Sequence, residues 1–200
     1  MFFKKVFRKK DAYAEKIARI TGVYPNQTSI YQRAFLHRSA LQINQLQAFE
    51  SNERLEFLGD AVLGLVVAQR VYDKFPNLPE GKLTRMRSNL VKGETLAKIA
   101  RELDLGVLIK LGPGEMKSGG HRRESILADT VEALIGAIYF DAGMDCCKTR
   151  VMEWYASRLQ GLNPQSSHKD AKTRLQEYLQ ARKQALPSYE LVNTSGSEHQ

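Results

Sequence analysis

The chain has 200 residues, 42% of them hydrophobic, with a formal net charge of +8 and two cysteines. That length allows one ample core and a small second module. The longest apolar runs, 61–68 and 133–140, fall far short of the roughly 20 residues that cross a bilayer, so no membrane span is expected.

The opening MFFKKVFRKK supplies five of the positive charges, at Lys4, Lys5, Arg8, Lys9 and Lys10. The rest of the chain carries only +3, which makes net charge a weak argument for polyanion binding. This opening lacks the apolar stretch and cleavage site of a secretory signal. Cys146 and Cys147 are adjacent and cannot join distant segments, consistent with a reducing compartment and a cytoplasmic location.

Helical periodicity runs from residue 11 to about 160, with breaks at Tyr24-Pro25-Asn26, at 75–79, at 111–114 and at 118–120. An all-helical domain is therefore expected. Between the first two breaks lies the segment 52–60, NERLEFLGD, which sets Glu53, Glu56 and Asp60 three, four and seven residues apart on one helical face. The helix continues through Val62, Leu63, Val66 and Val67, so it reads as a core element in which unpaired carboxylates would be expensive. Residues 82–103 suit one or two amphipathic helices jointed at Gly93, with Lys82, Arg85, Arg87, Lys92, Lys98 and Arg101 outside.

His37 and Arg38 read most simply as a packed histidine and a surface arginine, and Met86, Met116, Met144 and Met152 as core filler. Lys117, His121, Arg122 and Arg123 flank Ser118-Gly119-Gly120 and could either close on a phosphate backbone or remain solvated charges at a helix start.

A second acidic pair, Asp129 and Glu132, lies one turn apart in the apolar helix of residues 126–140. Packing the two acidic helices together would gather four or five carboxylates, which must take up protons or hold a metal. An all-oxygen set suits a hard ion such as Mg²⁺ or Mn²⁺. No His or Cys stands at zinc-ligand spacing.

Residues 161–170, GLNPQSSHKD, are polar and breaker-containing and read as a linker, with a boundary near 165. Residues 171–183 suit a helix with Leu175, Tyr178, Leu179 and Arg182 on one stripe, and 188–193 alternate as a short strand.

Taken in order, these motifs resemble bacterial ribonuclease III over nearly the whole chain: HRSA at 37–40, NERLEFLGDAVL from Asn52, GPGE and SGG between 112 and 120, RRESILADTVEALIG from Arg122 and KTRLQEYLQ from Lys172. The resemblance implies an all-helical catalytic domain over 1–160, a linker over 161–170 and an incomplete α+β double-stranded-RNA-binding domain over 171–200, too short to close that domain's core. It implies a homodimeric, Mg²⁺-dependent endonuclease in which Mn²⁺ substitutes and no organic cofactor takes part. Its substrate would be double-stranded RNA, including ribosomal RNA and other transcripts, cut to 5′-phosphate and 3′-hydroxyl ends with short 3′ overhangs.

By the same resemblance, Glu56, Asp60, Asp129 and Glu132 form the metal site. Glu53, Asp60 and Glu132 are catalytic, with Glu53 at the dimer and substrate edge, and Phe57 or Leu58 is the candidate anchor between subunits. Thr173, Gln176, Glu177 and Gln180 recur on one helical side and would read A-form shape through 2′-hydroxyls, with His199 in a loop entering the next minor groove. The incomplete module is expected to bind weakly, so cleavage should be best at low salt. A non-catalytic RNA-binding protein on this fold and a phosphohydrolase of small nucleotides are the alternatives.

Overall fold

The computed structural model describes residues 11–163, 171–188 and 190. The chain divides into two units, Met1–Leu162 and Asn163–Gln200. Within the first lie α1 (Ala12–Thr21), α2 (Thr28–Ala34), α3 (Glu53–Lys74), α4 (Glu80–Val91), α5 (Gly93–Glu102), α6 (Pro113–Lys117), α7 (Glu124–Trp154) and α8 (Ala156–Gln160); the second holds α9 (Ala171–Ala181). Among the described residues there is no strand, only an isolated bridge between Leu36 and Lys110.

Local chemistry sets the helix ends. Asp11 caps α1 by accepting from the backbone N–H groups of Tyr13 and Ala14 at 2.9 and 3.3 Å, and Gly22 closes it in the left-handed conformation. The break at Tyr24-Pro25-Asn26 is held from a distance: Asp141 accepts from the N–H groups of Asn26 and Gln27 at 2.8 and 2.9 Å and from the Tyr31 hydroxyl at 3.2 Å. The joint between α4 and α5 falls at Lys92, extended at φ −67° and ψ 150°, one residue before the expected hinge; Gly93 is already the first helical residue of α5.

The centre of the domain is the packing of α3 on α7, with α5 and α2 against the other sides of α7. Leu63, Val67, Val131, Leu134, Ile135 and Ile138 are almost wholly buried there. Two glycines set how close the central pair comes. A Cβ on Gly59 would overlap the Glu132 carbonyl oxygen and lie 3.0 Å from the Gly136 nitrogen, and one on Gly136 would overlap the Leu55 carbonyl. Backbone therefore packs on backbone at the level of the acids, a distance at which no side chain fits.

α7 is bent at Gly143, where φ is 81° and ψ 175°. Beyond the bend Cys147 and Val151 return to the core, and the buried Tyr155 hydroxyl donates to the Leu90 carbonyl at 3.1 Å. Both cysteines are free thiols. Met86 is buried, and Met144 and Met152 pack against the core. Met116 departs from the filler role: it is 49% exposed on the short helix α6.

In the second unit α9 ends two residues short of the expected helix, since Lys183 turns to φ 54°. Arg182 lies over the Tyr178 ring at 3.7 Å. Ser188 and Glu190 are not in a strand; the remainder of the expected strand, most of the linker and His199 lie outside the described residues.

Candidate active-site cleft

The cleft is built where the end of one loop meets the start of two helices. Lys110 donates its N–H to the Phe35 carbonyl at 2.7 Å, and His37 donates to the Lys110 carbonyl at 3.1 Å. Ser39 then accepts at Oγ from the Gly112 N–H at 2.9 Å and meets His37 Nδ1 at 2.8 Å. Asn52, buried just ahead of α3, donates its N–H to the Leu36 carbonyl at 2.9 Å. These bonds tie the HRSA segment to the α6 loop and to the acidic end of α3. A cavity of about 980 Å³ results, whose walls include His37, Arg38, Glu53, Glu56, Glu115, Arg123 and Asp129.

Two of its lining acids, Glu56 from α3 and Asp129 from α7, meet Glu132 of α7, each half-buried, with one carboxylate oxygen apiece mutually within 4.8 Å. No ion pair among the described residues involves these three side chains. Burial, then the charges of Asp60, Glu56 and Asp129, pushes the Glu132 carboxyl from 4.5 up to about 8. Glu56 is raised by burial and by Asp129, Glu53 and Asp60. Asp129 is raised by burial, against which His37 and Arg38 pull it down. Asp60 thus acts on the cluster by its charge, but it is exposed and stands outside the 4.8 Å set.

Three half-buried carboxylates whose proton affinity is raised above all by burial are a donor set suited to a hard divalent cation, which would take oxygen ligands and displace protons. The residues present fit such an ion.

Glu53 stands apart at the mouth: it accepts from Ser51 Oγ at 3.2 Å and faces Arg38 Nη1 at 3.6 Å. Arg38, 73% exposed, and the half-buried His37 are therefore cleft residues rather than an isolated surface cation and a core histidine. Glu115 and its partner Arg123 went unsingled as a pair in the sequence, although both fall inside motifs quoted above. In the second unit Gln176 is half-buried and Gln180 exposed on α9, whereas the side chains of Thr173 and Glu177 lie outside the described residues.

An all-helical domain with an acidic cleft at the crossing of its two central helices defines a class of nucleases. The family model described as Ribonuclease-III-like matches residues 27–159. Curated relatives include Ribonuclease 3 of Colwellia psychrerythraea, 52% identical over 92% of this chain and 67% of its own length. Ribonuclease 3 of a Marinomonas species is 50% identical over 92% of this chain and 78% of its own. A solved nuclease domain of ribonuclease III from Campylobacter jejuni, whose report concerns a region involved in dimer formation, aligns with a TM-score of 0.66 and 37% identity, covering 72% of this chain and 96% of that one. This chain belongs to the ribonuclease III family and is an endoribonuclease.

Proposed function

We propose that the protein is a Mg²⁺-dependent endonuclease that hydrolyses double-stranded RNA, ribosomal and messenger precursors included, as a cytoplasmic homodimer. The observation that carries this reading is the convergence of Glu56, Asp129 and Glu132 from two separate helices, within 4.8 Å and with no ion pair to any of them among the described residues. A phosphodiester could not enter such a cleft against bare carboxylates, and neutral, protonated acids would give it nothing to react with.

Glu56, Asp60, Asp129 and Glu132 would hold the ion, Mg²⁺ or in its place Mn²⁺. When bound, it supplies Lewis-acid polarisation of the phosphate and of the attacking water. The chain's own groups do the rest. Glu132 must give up the proton that its burial retains, and Asp60, in contact with solvent, places a further charge beside it. Glu53, counted with Asp60 and Glu132 as catalytic, stands at the mouth with Arg38 as its counter-charge. No nucleophilic side chain and no organic cofactor are required, and direct attack of water on phosphorus leaves 5′-phosphate and 3′-hydroxyl ends.

A duplex has two antiparallel strands, so a two-fold symmetric dimer presents one cleft to each and gives staggered cuts with short 3′ overhangs. The outer stripe of α3 supports this part of the proposal: Phe57, Leu65 and Tyr72 are 81%, 59% and 69% exposed. Beside them a groove of about 630 Å³ is lined by Leu65, Tyr72, Leu83 and Met144. A projecting aromatic and an apolar groove on one face are what an isologous contact needs.

Thr173, Gln176, Glu177 and Gln180 on α9, with His199, are proposed to contact RNA as part of a double-stranded-RNA-binding segment over 171–200. Incubating end-labelled duplex RNA with Mg²⁺, with Ca²⁺ and with the Glu132→Ala variant tests the whole reading. Cleavage is expected only for the wild type with Mg²⁺. Products ending in 2′,3′-cyclic phosphate would refute the hydrolytic route.

A further inference from the structure

The loop between α6 and α7 places one arginine in the cleft and holds it there through Glu115 and Ser118, neither of which belongs to the Glu56–Asp129–Glu132 cluster. Arg123 occupies the position just before α7, its N–H donating to the Gly120 carbonyl at 3.0 Å. Its guanidinium is gripped on one edge: Nη1 donates to Glu115 Oε1 at 2.8 Å and Nη2 to Ser118 Oγ at 3.0 Å. Glu115 runs beneath Gly120, where a Cβ would come within 2.8 Å of the Glu115 carbonyl oxygen, and its Oε2 is buried without a hydrogen-bond partner. The carboxylate is thus fixed by its surroundings, and Arg123, 45% exposed, is fixed by the carboxylate.

The other cleft arginine differs. Arg38 is 73% exposed and its partner at 3.6 Å is Glu53, itself one of the mouth acids. Arg123 is instead held by two short bonds, one to Glu115 and one to Ser118, and is the less exposed of the two. A guanidinium has five N–H donors in a rigid fork, and Glu115 and Ser118 engage only part of them, leaving the remainder for an oxyanion.

Resting on the reading of the cleft as a duplex-RNA nuclease site, we propose that Arg123 binds a backbone phosphate of the substrate and that Glu115 is the residue that positions it. Two measurements on the full chain test this: binding of a labelled RNA duplex in Ca²⁺ over a range of KCl concentrations, and steady-state cleavage in Mg²⁺. Arg123→Gln should weaken binding and raise KM roughly ten-fold and lower the logarithmic salt slope by about one, with kcat within about two-fold. Arg123→Lys should restore the slope but only part of the affinity, since a point charge cannot be held by the same fork. Glu115→Gln should keep the slope, weaken binding less than Arg123→Gln, and add nothing in an Arg123→Gln background, because its effect runs through Arg123.

An unchanged Kd and salt slope for Arg123→Gln would overturn the assignment. So would a Glu115→Gln defect that persists undiminished in the Arg123→Gln background, or that lowers kcat and Tm with KM unchanged, either of which is the mark of a loop-folding role. Absence of Mg²⁺-dependent cleavage by the wild type would instead strike the underlying reading, while the binding arm still decides the role of Arg123.

Discussion

The two faces of α3 pose opposite packing problems. On the inner face Gly59 lies so close to α7 that even a methyl group has no room, and on the outer face Phe57, Leu65 and Tyr72 stand in the open beside an apolar groove. The inner face is complete within one chain and sets the spacing of the acids. The outer face is apolar surface left exposed among the described residues, and patches of that kind mark association sites. One helix therefore carries both the site geometry and the candidate surface for a second copy.

The sharpest way to break this contrast is to add one carbon to the inner face. Gly59→Ala should cost at least about 3 kcal/mol in urea denaturation and remove cleavage, because the helices must part where the carboxylates meet. A loss below about 1 kcal/mol would show that the crossing has slack. Glu132→Ala should abolish cleavage with no loss of thermal stability in metal-free buffer, since it removes a carboxyl held in an unfavourable setting. A variant cutting at the wild-type rate would take Glu132 out of the site.

On the outer face, Phe57→Ala should leave the stability of the single chain nearly unchanged yet weaken self-association at least roughly ten-fold by sedimentation. Equal dimer populations in both proteins would move the interface elsewhere.

A gentler probe uses pH. The Glu132 carboxyl sits at about 8 in the folded protein against 4.5 when free, so the folded state binds more protons between those values and the stability slope is negative. The contribution of this group is fully present below about pH 4.5 and is lost as pH rises through about 8. Metal-free protein should therefore lose Tm over that window relative to Glu132→Gln, and added Mg²⁺ should flatten the difference. The smallest effect is expected at Gly81 in α4, where a Cβ meets nothing within 4 Å. Gly81→Ala should stabilise by about 0.5–1 kcal/mol through helix propensity alone.

Much of the cleft was legible in the chain because helical spacing is a local property. The three- and four-residue intervals of Glu53, Glu56 and Asp60 and the single turn from Asp129 to Glu132 put each group on one face before any folding is considered. What those intervals leave open is which acids from different helices meet. Glu56, Asp129 and Glu132 converge, Asp60 remains at the solvent side, and Glu53 turns to Arg38. His37 was readable as an ordinary core residue because the Ser39 that it bonds is itself tied to Gly112, 73 residues further along the chain.

By itself the sequence determined the helical class, the two acidic helices, the all-oxygen character of the groups they carry and the family, since each depends on residue type and on short, fixed spacings. Only the tertiary structure decided how close α3 and α7 come, which three carboxylates come together, and that Glu115 and Ser118 turn Arg123 into a cleft wall. Those outcomes depend on contacts between distant segments, where a glycine at the crossing or a loop bond across the cleft matters more than any local preference.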